Sequence, residues 1–116
     1  MQDSPILIAG AGIGGLTTAL ALGRAGIPCL IIEQRTQIDE VGAGLQLSPN
    51  ASRILITLGL EGVLTRYAAT PLQLQVKDGR SGSLLSSMPL GQSIHEGFGA
   101  PYWSMHRADL QTALLD

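Results

Sequence analysis

Three glycines near the start of the chain have the spacing of a nucleotide-binding turn. Gly10, Gly12 and Gly15 form the pattern G-x-G-x-x-G, and the acidic residue Glu33 follows 18 residues later. In this pattern the glycines permit a tight turn, a close approach of a diphosphate to the backbone, and close helix–sheet packing. The N-terminus of the following helix attracts phosphate, and the acid accepts hydrogen bonds from ribose hydroxyls. The residues therefore predict dinucleotide recognition.

A strand, a helix and a second strand must position this turn. An uncharged run over residues 5–9 precedes the glycines, and a helix is predicted over residues 16–25, where Gly26 and Pro28 end it. Residues 29–32 have the apolar composition of a buried parallel strand. The order predicts an α/β fold with a Rossmann-like βαβ start. The alternative is a βαβ unit whose glycines serve packing alone. The predicted flanking strands and helix favour nucleotide binding over this alternative.

The rest of the chain predicts further helices and an antiparallel β-hairpin. Ser48 and Pro49 are typical of a helix start, and alternating apolar and polar residues around a Gly-rich turn indicate the hairpin. The predicted elements are helices over residues 49–58 and 60–67, strands over 72–77 and 83–88, a loop over 91–101, a strand over 102–106 and a helix over 107–116. Because only two parallel strands are predicted, residues 1–116 are expected to form the N-terminal portion of an incomplete domain, and a small complete domain is the alternative.

Composition excludes several classes of partner. Hydrophobic residues make up 45% and charged residues 14% of the chain, which disfavours disorder. The seven basic residues do not cluster and the net charge is −2, so neither nucleic acid nor an acidic membrane is an expected partner. His95 and His106 lack partners at metal-ligand spacing, and no metal site is predicted. The single Cys29 cannot form an internal disulfide; it is expected in the core, and it suits a reducing compartment such as the cytoplasm.

An uncharged N-terminal run has the length of a membrane span. Residues 4–23 carry no charge. Four glycines within residues 10–15 would weaken a membrane helix at its middle, and the acidic Asp3 with no basic residue before it disfavours a signal peptide. The strand–turn–helix interpretation accounts for every glycine, so no membrane association is expected.

Three segments resemble a known enzyme family. They are residues 10–16 with Glu33 and Gln34, residues 42–51 running into 58–60, and residues 106–110 with the sequence HRADL. Together they resemble the N-terminal part of FAD-dependent aromatic-ring monooxygenases of the salicylate hydroxylase and 3-hydroxybenzoate 6-hydroxylase type. The first segment is shared by many FAD and NAD proteins, whereas the other two are more specific. The resemblance spans essentially the whole chain.

The resemblance implies that the chain binds FAD. The cofactor-binding residues it implies are Gly10, Gly12, Ile13, Gly14 and Gly15 at the diphosphate, Glu33, Gln34 and Arg35 at the adenosine end, Ala43, Gly44 and Gln46 toward the ribityl–flavin end, and Arg107 at the phosphate–ribityl part. In the whole enzyme, NAD(P)H would reduce the flavin and O₂ would supply one oxygen atom to a small aromatic substrate. The family's later Gly-Asp motif and most of its substrate domain have no counterpart here, and no catalytic residue is assigned. The chain alone is therefore expected to be inactive and to bind FAD weakly or not at all.

The residues leave several alternatives open. Arg35 can pair with a 2′-phosphate of NADP, although the Glu33 carboxylate would repel that phosphate. Arg107 begins a predicted helix, where a cation is unfavourable; a phosphate partner would explain it, and a solvated surface residue is the alternative. The chain can also belong to an NAD(P)-dependent dehydrogenase or to a non-enzymatic nucleotide-binding module. Incomplete sheet edges favour self-association.

Overall fold

The computed structural model describes residues 4–36 and 43–115 and has an α/β fold. Its elements are β1 (Ile6–Ala9), α1 (Ile13–Arg24), β2 (Cys29–Ile32), β3 (Gly44–Leu47), α2 (Pro49–Thr57), α3 (Glu61–Leu64), β4 (Gln73–Lys77), β5 (Leu84–Pro89), α4 (Gly91–Phe98), β6 (Trp103–His106) and α5 (Arg107–Leu115). The strands form three two-stranded sheets: β1–β2, β3–β6 and β4–β5.

The chain begins with the predicted βαβ unit. Strands β1 and β2 are parallel, with Cα partners from Ile6 and Cys29 to Ala9 and Ile32. Helix α1 makes the crossover and begins at Ile13, three residues earlier than predicted, so that its first turn includes Gly14 and the motif glycine Gly15. The helix has 12 residues. Nowhere in the described ranges is there a helix with the length and apolar character needed to cross a membrane.

One face of the β1–β2 sheet is open. Leu7, Leu30 and Ile32 point to this face and are 63%, 53% and 55% exposed, while α1 packs on the other face. The prediction that β2 is a buried strand is therefore wrong for the described part of the chain, because no described element covers its second face. Cys29 is half-buried rather than a core residue, and its thiol lies 3.9 Å from the Ala19 carbonyl oxygen.

The core lies between helices α1, α2, α3 and α5 and strand β6. Strand β6 pairs antiparallel with β3, aligning Gly44 with His106 and Leu47 with Trp103. Because side chains alternate along a strand, β6 directs Trp103 and Met105 inward, where they are 2% and 5% exposed. The buried core residues are Ala11, Leu16, Leu55, Leu60, Leu64, Trp103, Met105, Leu110, Ala113 and Leu114. Strand β6 continues into α5 without an intervening loop.

The predicted hairpin is present, and the loop predicted after it is wrong. Strands β4 and β5 pair antiparallel, and every residue of both strands is exposed. Residues 91–98 form helix α4 instead of a loop. Tertiary contacts override the weak helix propensity of its glycines. Leu90, just before α4, is 1% exposed, and the Arg53 guanidinium donates to the Phe98 carbonyl at the other end.

Candidate nucleotide-binding site

The glycine turn lies at the carboxyl end of β1. Gly10 has a φ of +106°, a conformation that favours glycine, and its N–H donates to the Ile32 carbonyl oxygen at 2.7 Å. A Cβ on Gly15 would lie 2.1 Å from the Gly10 carbonyl oxygen, so this helix can approach the turn only without a side chain. In contrast, a Cβ on Gly12 or Gly14 would meet no described atom within 4 Å. The turn is tightly packed on one side and open on the other.

Helix α1 presents unpaired N–H groups to this open side. Gly12 is the N-cap residue and provides no side-chain cap. The N–H of Leu16 donates to the Gly12 carbonyl at 2.9 Å. The N–H groups of Ile13, Gly14 and Gly15 therefore have no partner within the helix. The first turn carries no acidic residue, so the positive end of the helix dipole is available to an anion.

Glu33 is held at the mouth of the turn. Its carboxylate oxygens accept hydrogen bonds from the N–H of Ala11 at 2.8 Å and from the N–H of Arg35 at 3.1 Å. These bonds, the one from Ala11 first, lower the pKa of Glu33 below its ordinary value. Gln34 lies beside it. A cavity of about 360 Å³ is lined by Ala9, Gly10, Ile32, Glu33 and Gln34.

The lowered pKa of Glu33 predicts a pH-dependent contribution to stability. The folded pKa lies below the ordinary value of 4.5, so the contribution is complete above that value and is lost as the pH falls through the folded pKa. We expect Glu33→Gln to lower the midpoint of thermal unfolding near about pH 7, and we expect this difference to shrink as the pH falls below 4.5 and through the folded pKa. Circular dichroism of both proteins across this range measures the difference. A difference between Glu33→Gln and the unaltered protein that stays constant across this pH range would contradict the assignment.

A second group of predicted residues gathers where β3 meets α5. The Arg107 N–H donates to the Ala43 carbonyl oxygen at 2.9 Å, and Gly44 pairs with the residue before Arg107. Gln46 lies farther along β3, and its side-chain oxygen accepts a hydrogen bond from the Tyr102 hydroxyl at 2.7 Å. A cavity of about 450 Å³ is lined by Gly44, Leu45, Gln46 and Ser104. Gly42, which begins the second segment that resembles the monooxygenase family, lies outside the described residues.

Arg107 carries a buried donor that lacks an acceptor. Its Nε is buried and has no hydrogen-bond partner. Within residues 4–36 and 43–115, every other buried side-chain nitrogen or oxygen has one. Leaving such a group unpaired is costly, more so for a charged one. Arg107 also begins α5, where the helix dipole disfavours a cation. A phosphate or hydroxyl oxygen of a ligand would remove both penalties.

Comparison with known proteins identifies the kind of ligand. A family model described as an FAD binding domain matches residues 3–105. The chain belongs to the FAD-binding domain family. The predictions of an FAD-binding α/β fold and of kinship with aromatic monooxygenases are confirmed by this match together with the curated relatives and solved structures. The partnerless Arg107 nitrogen and the open glycine turn fit a cofactor that contains a diphosphate.

The relatives of this FAD-binding domain include hydroxylases of aromatic acids. The chain is 46% identical over 111 residues to a 3-amino-4-hydroxybenzoate 2-monooxygenase of Streptomyces platensis, covering 96% of this chain and 28% of the relative. It is 40% identical over 114 residues to a 3-hydroxybenzoate 6-hydroxylase of Polaromonas naphthalenivorans, covering 98% and 28%. The chain thus spans about 28% of the length of these relatives.

Solved structures show the same fold. The structure of Klebsiella pneumoniae HpxO complexed with FAD and uric acid matches with a TM-score of 0.80 and 29% identity, covering 97% of this chain and 28% of that one. A tetrameric 2-methyl-3-hydroxypyridine-5-carboxylic acid oxygenase matches with a TM-score of 0.82 and 26% identity, covering 99% of this chain and 29% of that one.

The described residues of this FAD-binding domain contain no group of three His, Cys, Asp or Glu side chains arranged to hold a metal ion.

Two side chains of the FAD-binding domain escaped the sequence reasoning. Gln111 is 5% exposed, and its Nε2 donates to the Ala11 carbonyl oxygen at 3.0 Å, so α5 reaches the glycine turn. The available signal was its position four residues after Arg107, which places both residues on one face of the helix. Tyr102 is half-buried, and its hydroxyl donates to the side-chain oxygen of Gln46. No local pattern indicates that contact.

Proposed function

We propose that the chain is the N-terminal portion of an FAD-dependent monooxygenase that hydroxylates a small aromatic compound with NAD(P)H and O₂. The observation that carries this proposal is the open glycine turn at the uncapped start of α1 in a chain of the FAD-binding family. Relatives named for hydroxybenzoates, and a solved relative in complex with uric acid, support a small aromatic or heterocyclic substrate.

The turn is suited to the diphosphate of FAD. We assign hydrogen bonding to the diphosphate to the N–H groups of Gly12, Ile13 and Gly14. The N–H groups of Ile13 and Gly14 have no partner within α1, and a Cβ on Gly12 or Gly14 would meet no described atom within 4 Å. Gly10 and Gly15 are assigned to the conformation of the turn instead. The N–H of Gly10 donates to the Ile32 carbonyl oxygen, and the missing side chain of Gly15 lets the helix pack closely on the turn. The bound flavin supplies the redox and oxygen chemistry, while the chain supplies binding and orientation.

We assign the adenosine end of FAD to the residues around Glu33 and the ribityl–flavin end to the residues where β3 meets α5. Each carboxylate oxygen of Glu33 already accepts one backbone N–H and retains capacity for a ribose hydroxyl. Gln34 and Arg35, which follow it, are assigned to the adenosine end. Ala43, Gly44 and Gln46 are assigned to the ribityl–flavin end, and Arg107 to the phosphate–ribityl part. Support for the last assignment comes from the buried Nε of Arg107.

Purification of two proteins tests the proposed function. The full reading frame that contains this chain is expected to carry flavin absorbance and to oxidise NAD(P)H when a hydroxybenzoate is supplied. The 116-residue chain alone is expected to bind FAD weakly or not at all and to show no NAD(P)H oxidation. Measurable oxidation by the chain alone would contradict the second expectation. A full-length protein that neither contains nor takes up FAD would contradict the first.

We also propose a cytoplasmic location. The single cysteine cannot form an internal disulfide, which suits a reducing compartment, where thiols stay reduced. A fluorescent fusion or cell fractionation tests the location, and recovery of the protein outside the cytoplasm would exclude it.

Self-association through the incomplete β1–β2 sheet is a further part of the proposal. The apolar face with Leu7, Leu30 and Ile32 is exposed, and unpaired strand edges are templates for pairing with a second chain. Size-exclusion chromatography over a range of protein concentrations tests this, and a monomer throughout would exclude it.

A further inference from the structure

We infer that Gln111 is a positioning residue for the glycine turn: its side-chain amide fixes the peptide between Ala11 and Gly12 so that the Gly12 N–H faces the diphosphate. The inference rests on the proposed binding of FAD. It goes beyond that proposal because Gln111 lies outside the glycine pattern, 100 residues from the backbone group it contacts.

The burial of Gln111 points to a role other than packing. Its neighbours on the buried part of α5 are Leu110, Ala113 and Leu114, and each is 3% exposed or less. An apolar side chain would fill such a site at lower cost than an amide, because a buried amide must find partners. Its Nε2 finds one in the Ala11 carbonyl oxygen, at 3.0 Å. The amide therefore connects the core helix to the backbone of the turn.

Both sides of Ala11 are fixed by hydrogen bonds. Its N–H donates to Glu33 at 2.8 Å, and its carbonyl accepts from Gln111. The Ala11–Gly12 peptide is trans, so its C=O and N–H groups point in opposite directions. Because the Ala11 carbonyl points toward α5, the Gly12 N–H points away from α5 and out of the core. That N–H thereby joins the unpaired N–H groups at the start of α1.

Helix α5 links the turn to the second residue group. Arg107 and Gln111 are four residues apart on this helix and share a face. Arg107 offers a buried, partnerless Nε, whereas Gln111 anchors the turn. One helix thus fixes the relative positions of a cation and of the backbone donors proposed to hold the same cofactor.

Ligand titrations of the apoprotein from the full reading frame test the inference. The variants are Gln111→Leu, which removes the donor, and Gln111→Glu. The probes are FAD, ADP, which retains the diphosphate, and adenosine, which lacks it. We expect Gln111→Leu to weaken FAD and ADP binding by roughly three- to tenfold, the typical contribution of one neutral hydrogen bond, and to leave adenosine binding nearly unchanged.

Gln111→Glu supplies a readout that a merely structural role would not give. An ionised carboxylate cannot donate to the Ala11 carbonyl, but a protonated one can. Burial raises the pKa of a carboxyl group, so ADP affinity of this variant should recover as the pH falls from neutral, before Glu33 titrates. If Gln111→Leu does not fold, this pH series decides the question.

The control is Leu114→Val, a buried change on the same helix with no polar contact to the turn. It is expected to lower the midpoint of thermal unfolding while leaving the ratio of ADP to adenosine affinity unchanged. Equal losses for ADP and adenosine in Gln111→Leu, or no loss at all, would overturn the role of Gln111 and leave the proposed function standing. An unaltered protein that binds neither FAD nor ADP would overturn both.

Discussion

Replacing Gly15 by alanine is expected to destabilise the protein by about 2 kcal/mol or more, at the upper end of what overpacking usually costs. The new Cβ would lie 2.1 Å from the Gly10 carbonyl oxygen and 3.3 Å from a methyl carbon of Ile8. The oxygen belongs to backbone that a left-handed Gly10 and a hydrogen bond to Ile32 hold in place, so it cannot yield as a flexible side chain would. Urea unfolding followed by circular dichroism measures the loss.

Gly23→Ala is the matched control for this prediction. Gly23 lies in the same helix, and a Cβ there would meet no described atom within 4 Å. Because alanine has the higher helix propensity, Gly23→Ala should raise the free energy of unfolding by up to about 1 kcal/mol. The two substitutions are chemically identical and should differ in sign. A Gly15→Ala protein as stable as the unaltered one would show that the helix does not need its close approach to the turn.

Replacing Arg107 by glutamine is expected to weaken FAD binding by about 10- to 100-fold, the range for losing a hydrogen bond from a charged group. The buried Nε has no protein acceptor in the described chain, so the bound cofactor is its proposed partner. The FAD affinity of Arg107→Lys should lie between that of the unaltered protein and that of Arg107→Gln, because lysine retains the charge but lacks both the Nε donor and the planar fork of the guanidinium. Quenching of flavin fluorescence on titrating the full-length apoprotein measures the dissociation constants.

Arg66→Gln is the control for the charge itself. Arg66 is exposed just after α3, and its replacement by glutamine removes the same formal charge as Arg107→Gln. Its FAD affinity should stay within about twofold of the unaltered protein, as surface charges contribute little. Equal FAD affinities for Arg107→Gln and Arg66→Gln would remove Arg107 from the proposed site.

Local signals were sufficient to predict the parts of the fold that depend on neighbouring residues. The glycine spacing, the Gly-Pro helix end and the acid after β2 all act within about 25 residues, and the βαβ start forms as expected. Ser48 and Pro49 likewise begin α2 at the predicted position, although the Ser48 hydroxyl contacts Asn50 rather than capping the helix.

The features that were missed depend on contacts distant in sequence. Helix α4 contains two glycines and reads locally as a loop, but Leu90 before it and Arg53 from α2 stabilise its two ends. The open face of β2 depends on which elements surround it, and its apolar residues alone indicate burial. The contact between Gln111 and Ala11 joins residues 100 positions apart; the four-residue spacing from Arg107 indicates the helix face of Gln111 but not its partner.

The direct junction of β6 with α5 has a consequence for how insertions act on the protein. Strand β6 ends at His106 and α5 begins at Arg107, so no spacer absorbs a change in length. One added residue at the junction would rotate the helix by about 100°, because each residue of an α-helix turns it by that angle. Arg107 and Gln111 would then swing together to a different side. The phase of this helix relative to its strand is therefore set by residue count, which makes the junction intolerant of a single-codon insertion.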